Sequence, residues 1–172
     1  PYTGNVYVDY YDNGNKKIEG NYKNKLMNGM WTYYYPDGIT KAKGRFLRGD
    51  GGNVHELSGI PQNGRYGDWT IYYPSGDVNA KYQYDMTGIP EGPWLEWYVN
   101  GKKKRQYFHK EGKRDQTWTV WWSNGNIKTE GNFKEGLKNG QFTFWFQNGQ
   151  KKFEGVCRND KLFGEWTFYN AD

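Results

Sequence analysis

Ring-bearing and polar residues alternate along this chain in a fixed order that recurs. In MWTYYYPDGITKAKGRF, residues 30 to 46, a run of aromatic and β-branched residues ends at a Pro-Asp-Gly turn, and Lys41, Lys43 and Arg45 then alternate with Ala42, Gly44 and Phe46. Side chains switch faces at every residue of a strand, so the second half predicts a strand with one wet face and the whole predicts a β-hairpin. The same order is legible in YYDNGNKKIEGNY and in WWSNGNIKTEGNF.

Stepping back seven residues from each turn glycine lands on Tyr7, Trp31, Trp69, Trp94, Trp118 and Phe142, and Trp166 continues the series. The separations are 24, 38, 25, 24, 24 and 24 residues. A period of this length marks a stacked supersecondary unit. The spacing therefore predicts about seven tandem β-hairpins in one repeat domain over 1–172, starting near residues 7, 31, 69, 94, 118, 142 and 166. Turns fall at Asn13-Gly14, Asp37-Gly38, Ser75-Gly76, Asn100-Gly101, Asn124-Gly125 and Asn148-Gly149, where glycine supplies a positive φ. A second glycine two residues before most anchors, at Gly29, Gly67, Gly92, Gly140 and Gly164, is expected to reverse the chain into the next hairpin; Gln116 interrupts that series.

Parity in the second strand sorts Ile18, Gly20, Tyr22, then Ala42, Gly44, Phe46, then Ala80, Tyr82, Tyr84, then Thr129, Gly131, Phe133 and Phe153, Gly155, Cys157 onto a buried face. A two-residue turn would set each anchor across from the glycine of its own hairpin, Trp31 over Gly44 and Trp118 over Gly131, and pair the fourth residue of strand one with a lysine. The resulting pairs, Tyr10/Lys17, Tyr34/Lys41, Trp97/Lys104, Trp121/Lys128 and Trp145/Lys152, are expected as cation–π contacts. Pro36 and Pro74 suit the other possibility, a three-residue turn with a bulge that moves the pairing by one.

Composition changes the picture in one respect: aromatics make up 20% of the residues, so rings carry the apolar surface. The formal charge of +5 is too small to identify an anionic partner. No apolar run approaches the roughly 18–20 residues that span a bilayer, and no charged-then-apolar leader opens the chain, which starts at Pro1. A single cysteine, Cys157, excludes an internal disulfide and is expected as a small core residue.

GMWTYYYPDGITKAKGRF, GDWTIYYPSG and GNFKEGLKNGQFTFWFQNG resemble the variant MORN repeat, a form familiar from bacterial proteins labelled antitoxin-like. The resemblance covers about residues 7–170 and departs at Tyr82, Tyr107 and Gln116. It implies an all-β fold, an elongated single-layer twisted antiparallel sheet, serving as a binding or spacing module.

The function expected on these grounds is a non-catalytic scaffold that binds another protein, in an antitoxin- or immunity-like role. The alternative is recognition of carbohydrate or of anionic phospholipid head groups by exposed rings and lysines. The candidate surface is Tyr34, Tyr72, Trp97, Trp121 and Trp145 with Lys41, Lys104, Lys128 and Lys152. The insertion GDGGNVHELSGIPQNGRY, residues 49–66, is a loop between the second and third hairpins, and its centre, His55 and Glu56, is the candidate functional loop. Nucleic acid is disfavoured because glutamates are mixed evenly among the cations, Lys102-Lys103-Lys104-Arg105 being the densest positive run. No catalytic residue, metal site or cofactor is expected: neither His55 nor His109 stands in a ligand or triad spacing.

Overall fold

The computed structural model describes residues 4–56 and 58–170, and residue 57 of the inserted loop lies outside them. The chain divides into two compact units, Pro1–Ile89 and Pro90–Asp172. The first holds β1 (Asn5–Tyr10), β2 (Lys16–Lys23), β3 (Leu26–Tyr34), β4 (Thr40–Gly49), β5 (Arg65–Tyr72) and β6 (Val78–Tyr84). The second holds β7 (Gly92–Trp97), β8 (Lys103–Lys110), β9 (Lys113–Trp121), β10 (Ile127–Lys134), β11 (Leu137–Trp145), β12 (Lys151–Arg158) and β13 (Lys161–Phe168). The described residues form an all-β fold without helices, and in each unit strand order in the sheet is chain order with antiparallel neighbours.

Both turn possibilities hold in part, and a bulge reconciles them. At the first hairpin the Tyr11 N–H donates to the Asn15 carbonyl at 2.9 Å and the Gly14 N–H to the Tyr11 carbonyl at 2.9 Å, with Gly14 at φ 85°. This is the three-residue turn closed by a left-handed glycine. It pairs Tyr10 with Lys16, and strand two then bulges at Lys17 so that Asp9 meets Ile18 and Tyr7 meets Gly20. The two-residue turn is thereby corrected, while the anchor register it was introduced to explain stands: Trp31 pairs with Gly44, Trp118 with Gly131 and Phe142 with Gly155.

The glycines before the anchors do not reverse the chain. Gly29, Gly67, Gly92, Gly140 and Gly164 are positive-φ positions inside strand one, and Gln116 takes the same conformation at φ 62°. Reversal happens earlier, at Asn24-Lys25, Glu111-Gly112, Glu135-Gly136 and Asn159-Asp160, where both residues have positive φ and the flanking residues pair, as Lys23 with Leu26. These are two-residue hairpin turns matched to the right-handed twist of strands.

The ring over each glycine belongs to the next hairpin, which corrects the expected stacking. A Cβ on Gly20 would stand 2.1 Å from Trp31, on Gly44 2.1 Å from Trp69, on Gly131 2.2 Å from Phe142 and on Gly155 2.3 Å from Trp166. Strand-two glycines therefore dock hairpin upon hairpin. The buried face is the one parity selected: Met27, Trp31, Tyr33, Ala42, Phe46 and Trp69 pack together in the first unit, and Phe133, Phe142 and Cys157 in the second. Edge-to-face contacts run through the first cluster, with ring centroids 6.2 Å apart for Trp31–Phe46 and 5.0 Å for Phe46–Trp69.

Candidate functional site: two rows of rings and an inserted loop

The bulge at the lysine decides which ring each lysine meets. Lys17, Lys41, Lys104, Lys128 and Lys152 lie over Tyr11, Tyr35, Tyr98, Trp122 and Phe146, with ammonium-to-centroid distances of 5.9, 5.8, 5.9, 4.3 and 5.4 Å. In every case the partner is the fifth residue of strand one, not the fourth. The five expected pairs are corrected by one position, because the three-residue turn takes up the residue that a two-residue turn would have left in the strand.

These fifth-position side chains brace neighbouring hairpins. The hydroxyls of Tyr11, Tyr35 and Tyr98 donate to the carbonyls of Tyr34, Tyr72 and Trp121 at 2.7, 2.9 and 2.7 Å, and the Trp122 indole N–H donates to the Trp145 carbonyl at 3.3 Å. Asparagines at the turns repeat the device one layer out: Asn13, Asn100 and Asn124 donate to the carbonyls of Pro36, Ser123 and Gln147. The Asn-rich turns thus serve two needs, local turn geometry and a link to the following turn.

The fourth-position rings Tyr34, Tyr72, Trp97, Trp121 and Trp145 are half-buried. Several are met by a side chain of the preceding hairpin. The Tyr34 hydroxyl donates to the Glu19 carboxylate, which also takes the Lys16 ammonium at 2.7 Å. Those two contacts, Lys16 foremost, hold the Glu19 carboxyl below its usual range. Lys43 lies 5.7 Å over Tyr72 and Lys103 5.5 Å over Trp121. Tyr34, Tyr72 and Trp121 are thus each held by the preceding hairpin, while Lys41, Lys104, Lys128 and Lys152, chosen from sequence, lie over the fifth-position rings instead.

The inserted loop is anchored to the core. Gly49 pairs with Met27, and Arg65 and Tyr66 pair with Phe46 and Arg45, so the segment between strands is 50–64, shorter than the expected 49–66. Ile60 is fully buried in the first cluster. Arg65 is buried, its guanidinium 4.5 Å over the Trp69 ring and donating to the carbonyls of Pro61 at 2.8 Å and Ile60 at 3.3 Å. Lys41 ties the tip down through the Ser58 carbonyl at 2.6 Å. His55 and Glu56 lie exposed at that tip, where the His55 Nδ1 accepts the Ser58 N–H at 3.3 Å. Lys41, which also lies over Tyr35, links this tip to the fifth-position ring.

One cluster stands where the sequence departs from the period. Glu96 takes the third position, filled elsewhere by Tyr33, Ile71 or Phe144, and its carboxylate lies 4.0 Å from Lys104 and 3.8 Å from Arg105. The Tyr107 hydroxyl donates to it at 3.3 Å, and burial pushes that hydroxyl up to about 12. His109 is buried beside it, 4.7 Å from the Trp94 ring, and burial lowers its pKa, helped by Arg114. Tyr107 fills the position that glycine holds in other hairpins, so the substitution that breaks the repeat also brings a phenol to Glu96. Among the described residues no group of three or more His, Cys, Asp or Glu is placed to hold a metal.

Residues 5–24, 65–86 and 117–135 match the MORN repeat variant. The first two matched segments span the whole hairpins β1–β2 and β5–β6, and the third spans β9 from Thr117 onward together with β10. No curated protein matches the chain. MORN repeats form a non-enzymatic family generally associated with protein or membrane-lipid interaction.

Proposed function

We propose that the chain is a non-catalytic repeat scaffold that binds another protein, and that it acts as an antitoxin- or immunity-like neutraliser of that partner. The observation that supports this reading is the bracing of the fourth-position ring row. Tyr34 is held by Glu19, Tyr72 by Lys43 and Trp121 by Lys103, each across a hairpin boundary. Aromatic side chains of this kind are enriched in protein interfaces, and rings ordered before contact lose little entropy on binding. Carbohydrate stacking is the weaker reading because Tyr72 and Trp121 already carry an ammonium over one ring face, which a sugar would have to displace.

The test is affinity capture from cross-linked host cells with the wild-type chain and with a Trp97→Ser/Trp121→Ser/Trp145→Ser variant whose circular dichroism is unchanged. One protein enriched by wild type and at least about tenfold less by the variant is expected, and co-expression of the chain should relieve any growth arrest that this protein causes. Binding only to a glycan array or to phosphatidylserine vesicles, with no enriched protein, would overturn the reading.

A further inference from the structure

The formal charge of the chain is not spread along it. Between Glu19 and Asp50 stand six Lys or Arg and a single acid, Asp37, while the rest of the chain carries eighteen of each sign. The whole surplus of +5 therefore belongs to β3, β4 and the end of β2. Asp37 sits in the turn that joins β3 to β4, where its carboxylate accepts the Ile39 N–H at 3.0 Å. Of the cations, Lys41 and Lys43 lie over Tyr35 and Tyr72, and Lys41 also reaches the Ser58 carbonyl. Lys23 and Arg48 have no such engagement, and they border one recess.

This recess lies between the β2–β3 turn and the end of β4, holds about 300 Å³ and is lined by Lys23, Asn24, Leu26, Asn28, Leu47 and Arg48. β4 bulges beside it: Gly29 pairs with Phe46 and Met27 with Gly49, so Leu47 and Arg48 together oppose Asn28. Arg48 has the positive φ, 54°, that the reversing turns give to Asn24, Glu111, Glu135 and Asn159. A guanidinium thus stands where those turns carry an amide or a carboxylate. Among the described residues neither Lys23 nor Arg48 belongs to an ion pair, and no carboxylate lines the recess.

The second unit repeats the recess with different chemistry. Counted from the anchors Trp31 and Trp118, the six lining positions become Lys110, Glu111, Lys113, Asp115, Lys134 and Glu135, and all six line one recess there. Three cations share that place with three carboxylates, so it is neutral by itself. In the first unit amides replace Glu111 and Asp115, Arg48 replaces Glu135, and leucines replace Lys113 and Lys134. The exchange removes every acid and leaves two cations, two amides and two apolar walls, a lining complementary to an anion. A carboxylate suits it, because the arginine fork takes both oxygens and the asparagine amides add donors. A phosphate, with three free oxygens, would turn some of them onto Leu26 and Leu47 unpaired.

We propose that the recess between the β2–β3 turn and the end of β4 receives a glutamate side chain of the partner protein, with its carboxylate on Arg48 and Lys23 and its methylenes against Leu26 and Leu47. The proposal rests on the protein-binding reading and adds the chemistry by which the partner is recognised, an acidic residue in an exposed segment.

The test uses the full chain labelled with nitrogen-15, the Arg48 Nε–H resonance assigned through Arg48→Gln, and the peptide acetyl-Gly-Leu-Glu-Leu-Gly-amide as probe. The Arg48 resonance and the side-chain amides of Asn24 and Asn28 are expected to shift saturably, with a dissociation constant on the order of 1 mM for so short a ligand. The variant Asn24→Glu/Asn28→Asp gives the recess two acids that its counterpart carries at the same positions, so folding is spared, and binding should weaken at least about tenfold. Arg45→Gln, which removes a cation of the same hairpin outside the recess, should weaken binding less than about twofold. No shift, an equal shift with the glutamine version of the peptide, or equal losses in the two variants would overturn the proposal. Tighter binding of inorganic phosphate than of the peptide, or a response only to phosphatidylserine vesicles, would overturn it in favour of a phosphate ester. A captured partner that binds wild type and Asn24→Glu/Asn28→Asp equally overturns the site and leaves protein binding intact. A response to the peptide, with no partner captured by wild type, overturns the protein partner while the recess still takes a carboxylate.

Discussion

Gly44→Ala isolates the contact that joins one hairpin to the next. The new Cβ would stand 2.1, 2.3 and 2.6 Å from Cδ2, Cε2 and Cγ of Trp69. Real Cβ contacts are not that short, so the indole has to retreat by more than an ångström. Trp69 has no room to do so: it is fully buried, its indole N–H donates to the Arg45 carbonyl at 3.2 Å, and Arg65 lies 4.5 Å over its ring. Overpacking a core costs about 1–3 kcal/mol, and a pinned ring belongs at the top of that range. A loss of about 3 kcal/mol corresponds to a fall in Tm of about 6–12 °C for a chain of this size. Urea unfolding followed by far-ultraviolet circular dichroism measures it. Gly38→Ala is the control, since its Cβ meets nothing within 4 Å and only the φ of +88° is strained, at about 1–2 kcal/mol. A double-mutant cycle then names the ring. Gly44→Ala should couple to Trp69→Leu by about 2–3 kcal/mol and to Trp31→Leu, its own hairpin's anchor, hardly at all. A cost below about 0.5 kcal/mol, or coupling to Trp31 instead, would refute the reasoning.

Three further outcomes are expected. Ile60→Ala should cost about 2–5 kcal/mol in the same unfolding experiment, because a fully buried side chain leaves a cavity, whereas His55→Ala and Glu56→Ala at the exposed tip should stay within about 0.5 kcal/mol of wild type. Tyr98→Phe removes the hydroxyl that bonds the Trp121 carbonyl at 2.7 Å, and a loss of about 1 kcal/mol is expected, visible as faster amide exchange in β9. His109 has a folded pKa lowered by burial, so the unfolded chain takes up a proton first as pH falls below about 6.5. Its contribution is complete above that pH and is lost as the pH falls below it, and His109→Gln should flatten the stability profile on that acid side. Arg114, Glu91, Trp94 and Tyr107 face the imidazole, and an unchanged slope in the variant would assign the dependence elsewhere.

How much of this was legible in the sequence follows from which interactions are periodic and local. Anchor spacing, strand parity and the glycine of each turn depend on residues within one hairpin, and Trp31 does pair with Gly44 as that pattern requires. What a single hairpin cannot reveal is the partner across its boundary. Gly44 is required by Trp69, 25 residues away, and the Tyr98 hydroxyl by the Trp121 carbonyl, 23 residues away. Because every hairpin carries the same residues, a contact to the neighbour and a contact within the unit leave the same mark on the sequence. The lysine pairs failed for a related reason. Moving one residue from strand to turn changes the ring beneath each lysine while leaving the anchor register intact, since the bulge at Lys17 restores it. Departures from the period mark contacts that the period does not contain. Glu96 and Tyr107 break the apolar pattern together and meet in space, and the one long insertion proved to supply Ile60 to the core.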